Sequence, residues 1–334
     1  MPPSIASLDL PAFHQRFPWW GPDLQTIANR LRRPVLDLAP HRSERLRFPL
    51  ADGTGDTLLA MLDRPAAPKS DRPLIILIHG LTGGEDSIYM RLSARHFLET
   101  GHCVLRLNLR GAGPSRALCG DQYYAGRSRD FRNLLPLLPA DLTRHGIVAV
   151  GYSLGGAMLL KYLGEEGTAA PLVAAATVSS PIDLSLTSRH MLKPRNRIYH
   201  GHILTQMKRE ATGEGAAVSP AERAAILGSR TIWDYDEVFI APRHGFAGAE
   251  DYYERCRPTL FIPGIRIPTL MIAAADDPWI LISAYRDVDW AGNPALLPLL
   301  PQAGGHVGFH GTAGDRPWSD IAIGQFMRVA LGLP

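Results

Sequence analysis

Five short apolar runs, each about the length of one β-strand, recur between residues 74 and 274. Apolar residues follow one another within each run, which is typical of strands covered on both faces in a parallel sheet. Stretches with helical character lie between them, at about 87–100, 128–138 and 154–164. This alternation predicts an α/β fold with a mostly parallel central sheet flanked by helices. The predicted strands are 74–78, 103–107, 147–150, 173–178 and 269–274.

Two regions do not follow this alternation. Residues 1–43 are proline-rich and are predicted to form an irregular segment packed on the core, while 44–50 and 58–62 read as an antiparallel hairpin. Residues 181–265 contain polar and helical pieces without a clear buried strand. In α/β folds, ligands bind at the carboxyl ends of the parallel strands, so an insertion at this end of the sheet is expected to form a lid. We therefore predict a core of 44–180 and 266–334 with a helical cap over 181–265; the alternative is an ordinary run of connecting helices.

Composition narrows the classes of function. The 334 residues are enough for a large core, and 35 basic against 32 acidic side chains leave a net charge of +3. That balance gives no overall bias toward nucleic acid or an anionic membrane. The three cysteines (Cys103, Cys119 and Cys256) have no metal-ligand spacing, so we expect reduced thiols, no metal and no cofactor. Without a signal peptide or an apolar run of about 18 residues, a cytoplasmic protein with no transmembrane segment is expected.

The strongest local signal surrounds Ser153. The segment Ile147-Val-Ala-Val-Gly-Tyr-Ser-Leu-Gly-Gly156 takes a buried strand through Gly-x-Ser-x-Gly into an apolar helix. The glycines allow a sharp turn, which presents the serine hydroxyl above the sheet at a helix N-terminus. This arrangement is typical of the nucleophile elbow of the α/β-hydrolase fold. The alternative is a tight turn whose serine only caps the helix.

A serine nucleophile needs a base and an acid that orients the base. In this fold the chain order is Ser, then Asp or Glu, then His. Asp277 follows the strand 269–274, and His306 lies on a glycine-rich loop before the last helix, so we predict these two as partners of Ser153. Asp276 and Asp183 remain alternatives for the acid.

The loop after the first central strand is predicted to supply an oxyanion hole. It reads Ile78-His-Gly-Leu-Thr-Gly-Gly84, and the backbone amide of Leu81 would converge with that of Leu154 on a carbonyl oxygen. A phosphate cradle is the alternative, although the loop has no dinucleotide or Walker pattern. His79 is expected to hold the loop in place rather than to react.

Short motifs spread over about residues 17 to 310 provide a further comparison. They are Leu24-Gln-Thr26, His79-Gly-Leu-Thr-Gly83, Asn108-Leu-Arg-Gly-Ala-Gly113, Tyr124-Ala-Gly126, Gly151-Tyr-Ser-Leu-Gly-Gly156, Asp251-Tyr-Tyr253, Asp276-Asp-Pro278 and Gly304-Gly-His-Val-Gly-Phe309. Together they resemble the YheT-like branch of the α/β-hydrolases, which also includes eukaryotic lipase-like membrane esterases and yeast medium-chain acyl ester synthases. The resemblance implies the same triad (Ser153, Asp277 and His306) and ester hydrolysis or acyl transfer, usually without a cofactor.

Three hypotheses about function follow. The first is hydrolysis of a small-molecule ester through an acyl-enzyme, with no nucleic acid partner. The second is acyl transfer to an alcohol by the same residues, and the third is a non-catalytic binding protein on this fold. Apolar side chains of the predicted cap suit an acyl chain but equally suit the cap's own core: Ile198, Tyr199, Ile203, Leu204, Trp233, Tyr235 and Phe239.

Overall fold

A computed structural model of the protein describes residues 8–32, 36–312 and 314–333. Its strands are β1 (Arg42–Pro49), β2 (Thr57–Arg64), β3 (Leu74–Ile78), β4 (Val104–Leu107), β5 (Ile147–Tyr152), β6 (Ala174–Val178), β7 (Thr269–Ile272) and β8 (Leu296–Leu299). They form one eight-stranded sheet in the order β1-β2-β4-β3-β5-β6-β7-β8. Strand β2 pairs antiparallel with both β1 and β4, and every other neighbouring pair is parallel.

Helices connect these strands and cover the sheet. In chain order the α-helices are α1 (Gly21–Arg32), α2 (Ile88–Glu99), α3 (Ser128–Leu134), α4 (Ala140–Thr143), α5 (Leu154–Glu166), α6 (Leu184–Met191), α7 (Arg197–Thr212), α8 (Pro220–Gly228), α9 (Ile232–Tyr235), α10 (Ala241–Arg243), α11 (Ala249–Cys256), α12 (Ile282–Arg286) and α13 (Trp318–Leu331). A π-helical turn, Asp236–Ile240, joins α9 to α10. Among the described residues, no helix combines the length and the apolar character needed to cross a membrane.

The predicted α/β-hydrolase fold is confirmed, and all five predicted strands are present with ends shifted by two residues at most. Strand β3 shows why its sequence does not alternate. Ile76 packs into the core cluster shared with α3 and α5, whereas Ile75 and Leu77 pack into the cluster on the α2 and α13 side. Because both faces are covered, every position of the strand is apolar.

Two elements differ from the sequence expectations. The first forty residues are not irregular throughout, because Gly21–Arg32 forms a helix with Pro22 and Asp23 in its first turn. Both residues favour a helix start, and the proline-rich surroundings obscured this signal. Strand β8 was missed because Pro298 interrupts its apolar run. It lies at the edge of the sheet, where proline is tolerated since one row of amides has no partner strand.

Residues 181–265, called the insertion below, enter the chain between β6 and β7. The structure describes all of them and finds helices α6 to α11 and no strand. The insertion contributes most of a third buried cluster, which includes Leu204, Tyr235 and Phe239 together with Ala125 of the core. This cluster packs against Leu81 and Leu154, which follow the carboxyl ends of β3 and β5.

Candidate active site

Ser153 lies at the turn between β5 and α5. Its backbone is in the left-handed region, with φ +49° and ψ −122°, a conformation that costs about 1–3 kcal/mol for a non-glycine residue. The surroundings hold it there, since the Ser153 amide donates to the carbonyl oxygen of Val178 at 2.9 Å. Gly155 is required because a Cβ there would lie 2.3 Å from the carbonyl oxygen of His79. The strand, turn and helix therefore present the Ser153 side chain to a cavity.

His306 and Asp277 meet this serine in one line of hydrogen bonds. Nε2 of His306 lies 3.0 Å from Oγ of Ser153, and Nδ1 of His306 lies 2.9 Å from Oδ2 of Asp277. The other carboxylate oxygen of Asp277 accepts the amides of Trp279 and Ile280 at 2.8 and 3.0 Å. The Trp279 ring also packs over the imidazole, with 4.1 Å between ring centroids. Both the orientation of the carboxylate and that of the imidazole are therefore restricted.

The two alternative acids occupy other positions. Residues 304–310, which include His306, are called the histidine loop below. Oδ1 of Asp276 accepts the Gly305 amide of this loop at 2.9 Å, so the side chain supports the loop backbone. Asp183 caps the start of α6 by accepting the Leu186 amide at 2.8 Å. Of the three carboxylates considered from the sequence, Asp277 is the one that contacts the imidazole.

Three consecutive amides of the histidine loop are each bound by a side chain from a different part of the chain. Gly305 donates to Asp276, His306 donates to Oγ1 of Thr26 at 2.9 Å, and Val307 donates to Oγ of Ser179 at 3.1 Å. These acceptors follow β7, belong to α1 and follow β6, respectively. The position of the imidazole thus depends on three separate elements.

The sequence analysis did not predict that helix α1 would contact the candidate active site. Besides Thr26, its Gln25 side chain is fully buried and bridges to the far end of the histidine loop. Its Oε1 accepts the His310 amide at 2.7 Å, and its Nε2 donates to the His310 carbonyl oxygen at 3.0 Å. The available signal was the Leu24-Gln-Thr26 motif, which identified the segment without indicating what it contacts.

Next to Ser153, the loop after β3 leaves one amide free. The Gly80 amide donates to the Tyr89 hydroxyl at 2.9 Å, and the Thr82 amide donates to the Tyr123 hydroxyl at 2.7 Å. Among the described residues the Leu81 amide between them has no acceptor, and neither has the Leu154 amide at the start of α5. The loop passes close to Ser153, since a Cβ on Gly80 would lie 3.0 Å from the Cβ of Ser153. Two unused donors therefore remain beside Ser153.

His79 holds this loop through both ring nitrogens. Nε2 accepts the Leu109 amide at 3.0 Å, which leaves the proton on Nδ1 to be donated to the Gly80 carbonyl oxygen at 2.7 Å. Desolvation of the buried ring lowers the pKa of His79 to about 4, so the ring is neutral near pH 7. With both nitrogens engaged, His79 acts as a structural support, in agreement with its expected role.

A cavity of about 340 Å³ opens above the serine and the imidazole, at the lower end of the usual range for small-molecule sites, about 300–1,000 Å³. The core, α1 and the insertion all contribute to its walls. The lining is mainly apolar: Ile27, Leu81, Leu154, Leu184, Met191, Ile203, Ile232, Trp279, Ile280 and Val307.

The insertion adds one polar corner to this cavity. The buried carboxyl group of Asp236 lines it and accepts a hydrogen bond from the Tyr253 hydroxyl at 2.5 Å. Ser188 Oγ lies 3.2 Å from the same hydroxyl. Desolvation raises the pKa of Asp236 to about 7, so this corner changes its charge near neutral pH.

The apolar residues named for the insertion in the sequence analysis were expected either to line a substrate cavity or to form the core of the insertion. Both roles occur, and one residue has neither. Tyr199 and Ile203 line the cavity, while Leu204, Tyr235 and Phe239 belong to the buried core of the insertion, against which Trp233 packs. Ile198 does neither, because its side chain is 86% exposed.

Comparisons with known proteins agree with this fold and site. A family model described as the alpha/beta hydrolase fold matches residues 73–311. The YheT protein of Escherichia coli is 32% identical over 296 residues, covering 86% of this chain and 84% of that protein. A monoacylglycerol lipase of Saccharomyces cerevisiae is 29% identical, covering 80% of this chain and 62% of that protein. A solved esterase of Pyrococcus furiosus shares the fold with a TM-score of 0.58 and 16% identity, covering 96% of this chain and 98% of its own.

The chain therefore belongs to the α/β-hydrolase family. Within it the protein is a YheT-like α/β-hydrolase, as the extent of the match to the Escherichia coli protein shows. Together with sequence relatives named as esterase and lipase, this makes it a carboxylic ester hydrolase.

Proposed function

We propose that this enzyme cleaves its ester through a covalent acyl-enzyme on Ser153, with His306 as the base and Asp277 as the residue that orients it. The observation that carries this proposal is the continuous line of hydrogen bonds from Ser153 Oγ through the imidazole to Asp277, at 3.0 and 2.9 Å. These distances lie within the range for proton transfer, about 2.6–3.2 Å. The same serine faces an apolar cavity beside two free amides.

Acylation begins when Ser153 Oγ attacks the ester carbonyl carbon and gives its proton to Nε2 of His306. Asp277 stabilises the imidazolium that forms, through Nδ1. The amides of Leu81 and Leu154 donate to the oxygen that becomes negatively charged, and each such donor contributes about 3 kcal/mol to the transition state. His306 then returns the proton to the departing alcohol oxygen as the carbon–oxygen bond breaks.

Deacylation repeats these steps with water. His306 removes a proton from a water molecule, whose oxygen attacks the acyl carbon of the Ser153 ester. The intermediate collapses, Ser153 recovers a proton from the imidazolium, and the carboxylic acid leaves.

We further propose that the insertion acts as a cap and that the substrate carries an apolar acyl chain of short to medium length. The apolar lining supports the acyl chain, and the volume of about 340 Å³ favours one modest chain over two long ones. The named activity of the yeast relative, a monoacylglycerol lipase, points to the same chemical class. A series of p-nitrophenyl esters of increasing chain length, with product analysis in the presence of ethanol, would define the chain length and detect transfer to an alcohol.

The direct test is the Ser153→Ala variant. We expect kcat on p-nitrophenyl esters to fall by about 10⁴- to 10⁶-fold, and labelling by a fluorophosphonate probe to disappear. Ser283→Ala is the matched control, since Ser283 is exposed on α12, and it should retain wild-type values. Near wild-type turnover by a folded Ser153→Ala protein would contradict the mechanism.

A further inference from the structure

The solvent-exposed part of the cavity wall comes from α1 and the insertion helix α7, and it is called the entrance below. Of the described residues that line the cavity, Arg30 on α1 and His202 on α7 are the only exposed ones. Nη1 of Arg30 lies 2.5 Å from Nε2 of His202, so these two side chains meet at the opening. Any substrate that enters there passes between the two helices.

Exposed apolar side chains lie on α1 and just before it. Leu24, Ile27 and Leu31 are spaced by three or four residues and share one face of α1; Ile27 lines the cavity, and Leu31 is 58% exposed. Just before the helix, Trp20 is 59% exposed and packs against the exposed ring of Phe17, with 5.4 Å between centroids.

Helix α7 completes this surface. Tyr199 donates a hydrogen bond to Asp23 of α1 at 2.8 Å, so the first turn of α7 lies against the first turn of α1. Ile198 precedes Tyr199 in this first turn of α7. Ile198 is 86% exposed. We call the exposed set the entrance rim: Phe17, Trp20, Leu24, Leu31 and Ile198.

Exposed basic side chains lie on or near the same elements as the entrance rim. Arg30, Lys193 and Arg197 are exposed and form no ion pair with another described residue. Arg195 is also exposed, but it pairs with Asp23 at 2.8 Å, so the negative charge of Asp23 is offset. The local surface is therefore positive, although the whole chain carries a net charge of only +3.

We propose that the entrance rim docks on an anionic lipid surface, so that the cavity opens directly toward the lipid. A contiguous apolar patch bordered by polar groups is typical of an interaction site, and Trp and Phe beside cations suit the membrane–water interface. Each basic residue near an anionic membrane strengthens binding by about fivefold. The positive charge selects an anionic lipid surface over a second copy of this chain, whose entrance rim would carry the same charge.

The test is co-sedimentation with vesicles, using Ser153→Ala protein so that the measurement does not depend on hydrolysis. Vesicles of phosphatidylcholine and phosphatidylglycerol in equal parts are compared with pure phosphatidylcholine. We expect binding to the anionic vesicles that weakens as salt is raised. Adding Leu31→Ser and Ile198→Ser should reduce the partition coefficient at least about tenfold, because two apolar side chains no longer leave water.

The matched control is Leu227→Ser with Leu260→Ser, two exposed leucines outside the entrance rim, which should bind within about twofold of the parent. Thermal unfolding of each variant verifies the fold. Equal binding of the rim variant and the parent, or no binding of the parent to anionic vesicles, would overturn the proposal. So would a parent dimer in light scattering that the rim substitutions dissociate while vesicle binding stays unchanged. Activity of Ser153-containing protein on soluble p-nitrophenyl acetate tests the proposed catalytic mechanism separately.

Discussion

The Thr26→Val variant tests whether α1 positions the catalytic base. Oγ1 of Thr26 accepts the His306 amide at 2.9 Å and donates to the Pro22 carbonyl oxygen at 2.7 Å. Valine has nearly the same shape but no acceptor. The substitution would therefore leave the backbone amide of His306, an almost fully buried residue, without its acceptor.

An unsatisfied buried amide costs about 1–3 kcal/mol. The loop can relieve part of this cost by shifting, but Nε2 of His306 already lies 3.0 Å from Ser153 Oγ, close to the upper end of the useful range of about 2.6–3.2 Å. A shift of a few tenths of an ångström would thus impair proton transfer. Taking 1.4 kcal/mol per factor of ten, we expect kcat/KM to fall about 10- to 100-fold and the melting temperature to fall by a few degrees.

Steady-state hydrolysis of a p-nitrophenyl ester and the second-order rate of fluorophosphonate labelling provide two independent readouts. Both should fall together for Thr26→Val, mainly through kcat. Thr26→Ser retains the hydroxyl and should stay within about threefold of wild type. The reasoning is refuted if folded Thr26→Val matches wild type in both rates, or if the serine variant is as impaired as the valine variant.

Three further predictions concern other buried contacts. Tyr123→Phe removes the acceptor of the Thr82 amide, so kcat should fall about tenfold with KM little changed; an unchanged kcat would argue against a role of this loop in stabilising the oxyanion. Desolvation raises the pKa of Asp320 to about 7 from a usual value of 3.8, so its stabilising contribution is full below pH about 4 and is lost as the pH rises to about 7. Urea unfolding of Asp320→Asn should then show a flatter dependence on pH over this window, by up to about 4 kcal/mol, whereas curves parallel to wild type would exclude this assignment. Arg110 is fully buried against the carboxylates of Asp52, Asp56 and Asp130, and Arg110→Met should lower the free energy of unfolding by about 3–5 kcal/mol, which equilibrium unfolding at pH 7 would measure.

Local patterns in the sequence were sufficient to predict most of the sheet and the turn at Ser153. Continuous apolar runs identify strands covered on both faces, as in β3, because burial leaves no position for a polar residue. The Ser153 turn was readable because its backbone conformation and close packing require small residues at neighbouring positions. Strand β8 was not readable, since Pro298 is acceptable only at an edge and edge position is a property of the assembled sheet.

The sequence by itself determined the fold class, the elbow at Ser153 and the chain order of its candidate partners. Only the tertiary structure decided which carboxylate meets the imidazole, because Asp276 and Asp277 are adjacent and differ only in the direction that the turn gives them. The same holds for helix α1. Thr26 and His306 are 280 residues apart, so no local pattern relates them. A hydrogen bond between such distant positions exists only after the sheet, the histidine loop and α1 have packed together, and the geometry of the site depends on it.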